Sequence, residues 1–229
     1  TDIKVLADHT GKGFEETIEA ANVLVQQYGI SWNEAIDLMS KGIQAGADMG
    51  GNFLNNIKQF APAIRDLGTD AEQLIAILAE TRNGVFDEQG VQNIVKGGTR
   101  LRAMTANIAK DLDAVGISSQ KMKDDLNNGT ITMLEALQQV AGKLKELPTN
   151  SQEAGNIMKD VFGRTAAEGG TLLIQSIADI NTNLDESIKK MGRLGELNGE
   201  LMQSERELQE LIAAVFKMSD TSFEEMNIS

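Results

Sequence analysis

Cysteine is absent from this 229-residue chain, histidine occurs once, proline twice, and aromatic side chains make up only 4%. Without cysteine there is no disulfide framework, no thiolate metal site and no cysteine nucleophile. A reducing cytosol and a virion are equally compatible with that absence, so compartment stays open. The one histidine, His9, leaves zinc dependent on carboxylates and any Ser-His-Asp arrangement dependent on a single residue in what reads as a loose terminal segment. An exposed structural role is the expectation for it. Two prolines and few aromatics suit helices with a Leu, Ile, Met and Ala core, whereas an all-β fold needs more aromatic and β-branched residues. No stretch approaches the roughly 20 apolar residues that a bilayer span requires. The chain opens at Thr1 without Met or a signal-like segment, which reads as a piece of a longer protein or a processed terminus. Basic residues are also scarce: 21 Lys+Arg against 34 Asp+Glu give a formal charge of −13. That balance repels phosphate and anionic lipid, so direct nucleic-acid binding is not expected.

What is present is a series of helices with marked ends. Ser31 with Glu34 forms a capping-box pattern. Trp32, Ala35, Ile36, Met39 and Ile43 then make one apolar stripe that ends where Gly46 can turn left-handed. Asn52 opens a second helix carrying Phe53, Ile57, Phe60, Ile64 and Leu67, with Pro62 expected to kink it or start a new turn. The plan repeats from Gly68: Asp70 caps with Gln73, Leu74, Ile75 and Leu78 form the stripe, and Asn83-Gly84 stops it. Its partner runs from near Asp87 through Leu101, Met104, Ile108, Leu112 and Val115, with Gly97-Gly98 as a weak spot costing about 1 kcal/mol per Gly against Ala. In a third unit Ser118 or Ser119 caps, Asn128-Gly129 breaks, and Thr132 with Glu135 opens a helix through Leu147. The unit starts, Gly29, Gly68 and Gly116, are 39 and 48 residues apart, too uneven for a strict solenoid. Upstream, Phe14 to Tyr28 supplies one more helix; downstream, Thr149 with Gln152 caps a short one reaching Phe162-Gly163.

From Thr171 to about Met218 neither Pro nor a loop cluster intervenes, and the stretch reads as one long helix of roughly 70 Å. Leu194, Leu201, Leu208 and Val215 are seven apart, as are Leu197, Ser204, Leu211 and Met218, so the two sets alternate as in a heptad seam. Upstream, the spacing of Ile177, Ile180, Leu184, Ile188 and Met191 slips as at a stutter. Gly192, Gly195 and Gly199 are expected to weaken the middle or bend it. Leu194, Leu197, Leu201, Leu208, Leu211 and Val215 are the candidate self-association residues.

Candidate chemistry is thin. "ADHTGKGF", Ala7 to Phe14, has the look of a phosphate loop, but Leu6 and Gly13 stand where a Walker A motif needs Gly and Ser or Thr, and no strand pattern precedes it. "DINTNLDES" places Asp179, Asn181, Asn183 and Asp185 at alternate positions as in a calcium loop, yet Leu184 and Lys190 occupy the Gly and Glu positions. A polar face or interruption of the long helix is the expectation there. Adjacent acids such as Glu15-Glu16 and Asp124-Asp125 are expected to face water. No catalytic, metal or cofactor residue is expected.

The succession "YGISWNEAIDLMSKGIQAGADMGGNFLNNIKQFAPAIRDLG", "NGVFDEQGVQNIVKGGTRLRAM", "GISSQKMKDDLNNGTITMLEALQQVAGKLKELP" and "MKDVFGRTAAEGGTLLIQSIADINTNLDE" resembles the helical region of phage tail tape measure proteins, over about Tyr28 to Glu186. The order of the pieces and "DVFGRTAAEGG" carry the resemblance. It implies a structural protein of a tailed phage or prophage whose extended helices occupy the tail-tube lumen, set tail length and assist assembly and DNA ejection. Tail-tube, tail-tip and tail-assembly chaperone proteins would be its partners, in the virion tail and, during assembly, the host bacterial cytoplasm. Residues 1–170 depart from a rod and read as a folded module.

The expected fold is therefore all-α: an N-terminal helical segment (1–28), a helical-hairpin module (29–170), a long oligomerising helix (171–218) and a flexible tail (219–229). The competing functional readings are a helical adaptor with a coiled-coil dimerisation arm and, lower, a wall-cutting enzyme.

Overall fold

A computed structural model describes residues 2–83, 87–148, 150–163 and 174–226. Among them there are helices and turns but no strand. Most helix starts follow from side chains that accept the otherwise orphaned first-turn amides. The Ser31 hydroxyl accepts the Glu34 N–H at 3.2 Å while the Glu34 carboxylate accepts the Ser31 N–H at 2.7 Å, opening α3 (Trp32–Gln44). Asp70 with Gln73 and Thr132 with Glu135 close the same reciprocal pair at α5 (Ala71–Glu80) and α9 (Met133–Glu146). Asp87 caps α6 (Glu88–Ala103), Ser118 caps α8 (Ser119–Asn127), and α2 covers Phe14–Tyr28 as the spacing predicts. The left-handed turn expected at Gly46 is present, with φ +85.

Three local expectations are corrected. The helix read through Met104 ends there: Met104 adopts φ 39, ψ 56, and the Thr105 hydroxyl caps a separate α7 (Ala106–Ala114). A non-glycine residue in that region costs about 1–2 kcal/mol, and the turn lets α7 pack against α8 and α10 (Gln152–Ile157). The cap of α10 is Ser151, whose hydroxyl accepts the Ala154 N–H at 3.1 Å, and not Thr149, which lies outside the described residues. A π-helical turn, Met158–Phe162, continues α10. His9 is not in a loose segment: it lies in α1 (Asp2–Thr10), whose Val5, Leu6 and Ala7 are buried. Pro62 is exposed and lies inside α4 (Phe53–Arg65).

The packing runs across the sequence order. The largest pairing is α2 with α4, and α5 lies against both α3 and α4. Within α5 every residue from Leu74 to Ala79 is buried, which makes it the central helix and not one with a single stripe. Gly97 and Gly98 of α6 are contact residues. A β-carbon on Gly97 would stand 3.1 Å from Leu137, and one on Gly98 3.1 Å from Met133 and closer still to Leu67, so a larger residue at either position would require these side chains to shift.

The uninterrupted helix expected from Thr171 is also corrected. Residues 171–173 lie outside the described set, helical residues 174–178 form α11, and the chain then leaves the helix until α12 (Leu184–Met191). The asparagines supply the reason. Asn181 accepts the Asn183 N–H at 2.9 Å, closing a local turn, and Asn183 accepts the Glu186 N–H at 2.9 Å as the cap of α12, so both side chains favour a helix start here over a continuing helix. A second break is Gly192, at φ 54, ψ −133, after which α13 runs from Arg193 to Met226, about 50 Å at 1.5 Å per residue. It passes through 219–226, part of the segment expected from the sequence to be a flexible tail.

Candidate assembly interface

α13 has two different faces. One is small and docked: α13 packs against α1 and α3. A β-carbon on Gly195 would stand 3.0 Å from the Ile188 carbonyl oxygen and 3.1 Å from that of Gln44, and one on Gly199 3.3 Å from the Gln44 amide oxygen. Met202, seven residues beyond Gly195, is buried on the same face. Before the break, α12 packs on α3 and α5, and Met191 reaches Gly46. Of the three glycines expected to weaken or bend the helix, Gly192 is the break and Gly195 and Gly199 are where α13 approaches its platform.

The other face carries the candidate residues. Leu194, Leu197, Leu201, Leu208 and Leu211 are 43–63% exposed, and at 100° per residue they form one stripe turned away from Gly195 and Met202. Val215 continues the stripe in sequence, but its side chain lies outside the described residues. Ile212 is exposed on the same side and was missed; its spacing of four from Leu208 was the available signal. Charges flank the stripe: Arg193 faces Glu196 at 3.2 Å and Glu200 at 3.4 Å, and Gln203 donates to Glu207 at 2.9 Å. Exposed pairs of this kind contribute little stability, so leucine exposure is the distinctive feature. A row of exposed leucines on one helix is costly unless a partner covers it.

The positions with chemical resemblance are placed elsewhere and apart. "ADHTGKGF" forms the end of α1 and the turn into α2. Asp179 pairs with Lys145 at 2.8 Å, away from Asn181 and Asn183, which serve the backbone. Among the described residues no three His, Asp or Glu side chains come together as metal ligands. Glu15 and Glu16 lie in the first turn of α2, while Asp124 accepts from Gln120 and Asp125 pairs with Lys121. Asp48 is half-buried; burial pushes its carboxyl up, opposed by the Phe53 N–H bond and by His9 and Lys12. A cleft of about 390 Å³ between the ends of α4, α6, α8 and α9 has walls of Leu101, Met104, Leu126 and Met133 with Arg102 and Lys123 at its rim. Arg102 already donates to the Asp66 carbonyl. The carboxylate in its lining, Asp66, is paired with Arg65 at 3.1 Å. No helix among the described residues is long and apolar enough to cross a membrane.

The family model described as phage-related minor tail protein covers residues 2–163, well over half of the 229. No curated protein and no solved structure matches the chain. The family region takes in α1 to the π-helical turn and stops at Gly163, short of α12 and α13.

Proposed function

The chain belongs to the phage-related minor tail protein family, and from that premise we propose that it acts within a tape measure protein, as a folded helical module that hands over to a rod. Membership makes it a structural component of a phage tail. The finer reading assigns residues 2–163 to contacts with tail-tube, tail-tip or assembly-chaperone proteins, in the virion and, during assembly, in the host cytoplasm. It assigns α13 to the lumen of the tube, where helix rise converts residue number into length and where the helix meets copies of itself and guides assembly and DNA ejection.

The observation that supports this most is the leucine stripe on a 34-residue helix. Such a stripe fits a molecule whose long helices pack side by side. A role without catalysis accords with the family.

The test is genetic. Removing two heptads from the exposed part of α13 in the phage should shorten the tail by about 21 Å, at 1.5 Å for each deleted residue, as measured by electron microscopy. Tails of unchanged length, with infectivity retained, would refute the ruler assignment. They would favour an adaptor whose terminal helix serves only to dimerise.

A further inference from the structure

We infer that α13 is an exchangeable arm: Gly192 is its hinge, and the platform on α1 and α3 that receives it in one chain receives the α13 of a second copy in a reciprocal dimer. The inference rests on the docked face and goes beyond the leucine stripe, which the exchange leaves uncovered and available.

Three observations carry it. The first is the hinge. α12 ends at Met191 and α13 begins at Arg193, so one residue separates two helices, and it holds φ 54, ψ −133, a backbone region open to glycine and strained for other residues. Nothing lies within 4 Å of a β-carbon placed there, so no packing holds the bend from outside. The second is phase. Leu184, Ile188, Met191, Gly195, Gly199 and Met202 follow one another at steps of three and four straight across Gly192. If Gly192 adopts helical angles, α12 and α13 become one helix with its docking face in register, and the helical hydrogen bonds interrupted at the bend are restored.

The third observation is the unequal anchoring of the two helices. α12 is held on two elements, α3 and α5, and buries Leu184 and Ser187. α13 also rests on two elements, α1 and α3, but of its 22 residues from 193 to 214 only Gly195 and Met202 are buried, so it is the more sparsely anchored of the two. Straightening therefore leaves α12 seated and carries α13 away from its own platform. A vacated platform exposes apolar surface with the shape of one ligand, the same segment of a second chain. Exchange preserves every docking contact and adds the straightened hinge, the usual low-cost route by which a tethered element becomes a dimer contact.

The chain has no cysteine, so disulfide trapping is free of background. Gln44→Cys and Gly199→Cys are placed in separate chains carrying different tags, unfolded and refolded together, and oxidised. Exchange yields a covalent dimer joining Cys at 44 of one tag to Cys at 199 of the other. It is overturned if the mixed chains give no such product while a single chain with both changes oxidises wholly within itself. Gly192→Ala provides the second measurement, because it adds one methyl in open space and favours helical angles. The dimer dissociation constant read by light scattering should fall by roughly tenfold or more; an unchanged value refutes the hinge even if the cysteine variants fold poorly. Failure of the leucine seam is read separately, from disulfide formation between two copies of Leu208→Cys. A Leu208 disulfide without the Gln44–Gly199 product leaves the seam standing and removes the exchange.

Discussion

Gly195 sits against Gln44 so closely that a β-carbon on it would stand 3.1 Å from the Gln44 carbonyl oxygen. That contact joins the last helix to α3 through backbone, and backbone cannot rotate aside as a side chain can. Gly195→Leu should therefore undock α13 even though leucine is the better helix former by roughly 0.8 kcal/mol. The expected signature is faster tryptic cleavage after Arg193 and Arg206 with little loss of helical circular dichroism. Unchanged cleavage rates would show that α13 is not held there.

Gly42 and Gly142 make a pair with opposite expected signs. A β-carbon on Gly42 would lie 2.6 Å from Phe53 and 2.7 Å from Ile75, both fully buried, whereas nothing stands within 4 Å at Gly142. Gly42→Ala should destabilise by about 1–3 kcal/mol through overpacking. Gly142→Ala, inside α9, should stabilise by up to about 1 kcal/mol through helix propensity. Urea denaturation of the two variants reads both, and the same sign in both would contradict the packing of α3 on α5.

Leu208 and Leu211 are more than half exposed, so replacing both with Lys should alter the stability of the folded chain by no more than about 0.5 kcal/mol each. Self-association through the stripe should weaken by at least about tenfold, since two lysines cannot be buried in an apolar seam. Sedimentation equilibrium of the intact and doubly substituted chains measures the effect. Equal association of the two would remove the leucine face as the assembly surface.

Tyr28 is the only tyrosine, and its hydroxyl donates to the Ala61 carbonyl at 3.2 Å. Burial pushes its pKa up from 10.0 to about 12, against the lowering effect of Thr69 and Arg65. Because the folded state holds the proton more tightly than the unfolded chain, the stability tied to this group is complete below pH 10 and is lost as pH rises toward 12. Phenolate absorbance should show a midpoint well above 10 in the folded protein, and Tyr28→Phe should flatten the alkaline fall in stability. A midpoint near 10, the ordinary value, would mean that the α2–α4 seam admits water at this ring.

Asp48 supplies the converse case at low pH. Its raised carboxyl opposes folding when ionised, so its unfavourable contribution should shrink as pH falls through the carboxylate range. Asp48→Asn, whose amide oxygen can still accept the Phe53 N–H, should raise the melting temperature at pH 7 more than at pH 4. An equal gain at both values would assign the effect to something other than charge.

The sequence by itself determined where most helices begin and that the fold is all-α. Ser31, Asp70, Asp87, Ser118 and Thr132 act within one turn of their own chain, and a cap needs nothing beyond the next three residues. The leucine stripe of α13 was legible for the same reason, since periodicity on one helix is local. Tertiary structure alone decided the rest. That α5 is central, that α2 joins α4, that Gly97, Gly98, Gly195 and Gly199 are points of close approach, and that Met104 takes a left-handed turn so α7 can reach α10 all depend on surfaces distant in sequence. A glycine that weakens an isolated helix and a glycine that lets two helices touch look the same in a string of letters. The difference lies in the atoms standing opposite, Gln44 for Gly199 and Leu137 for Gly97, and folding brings those together.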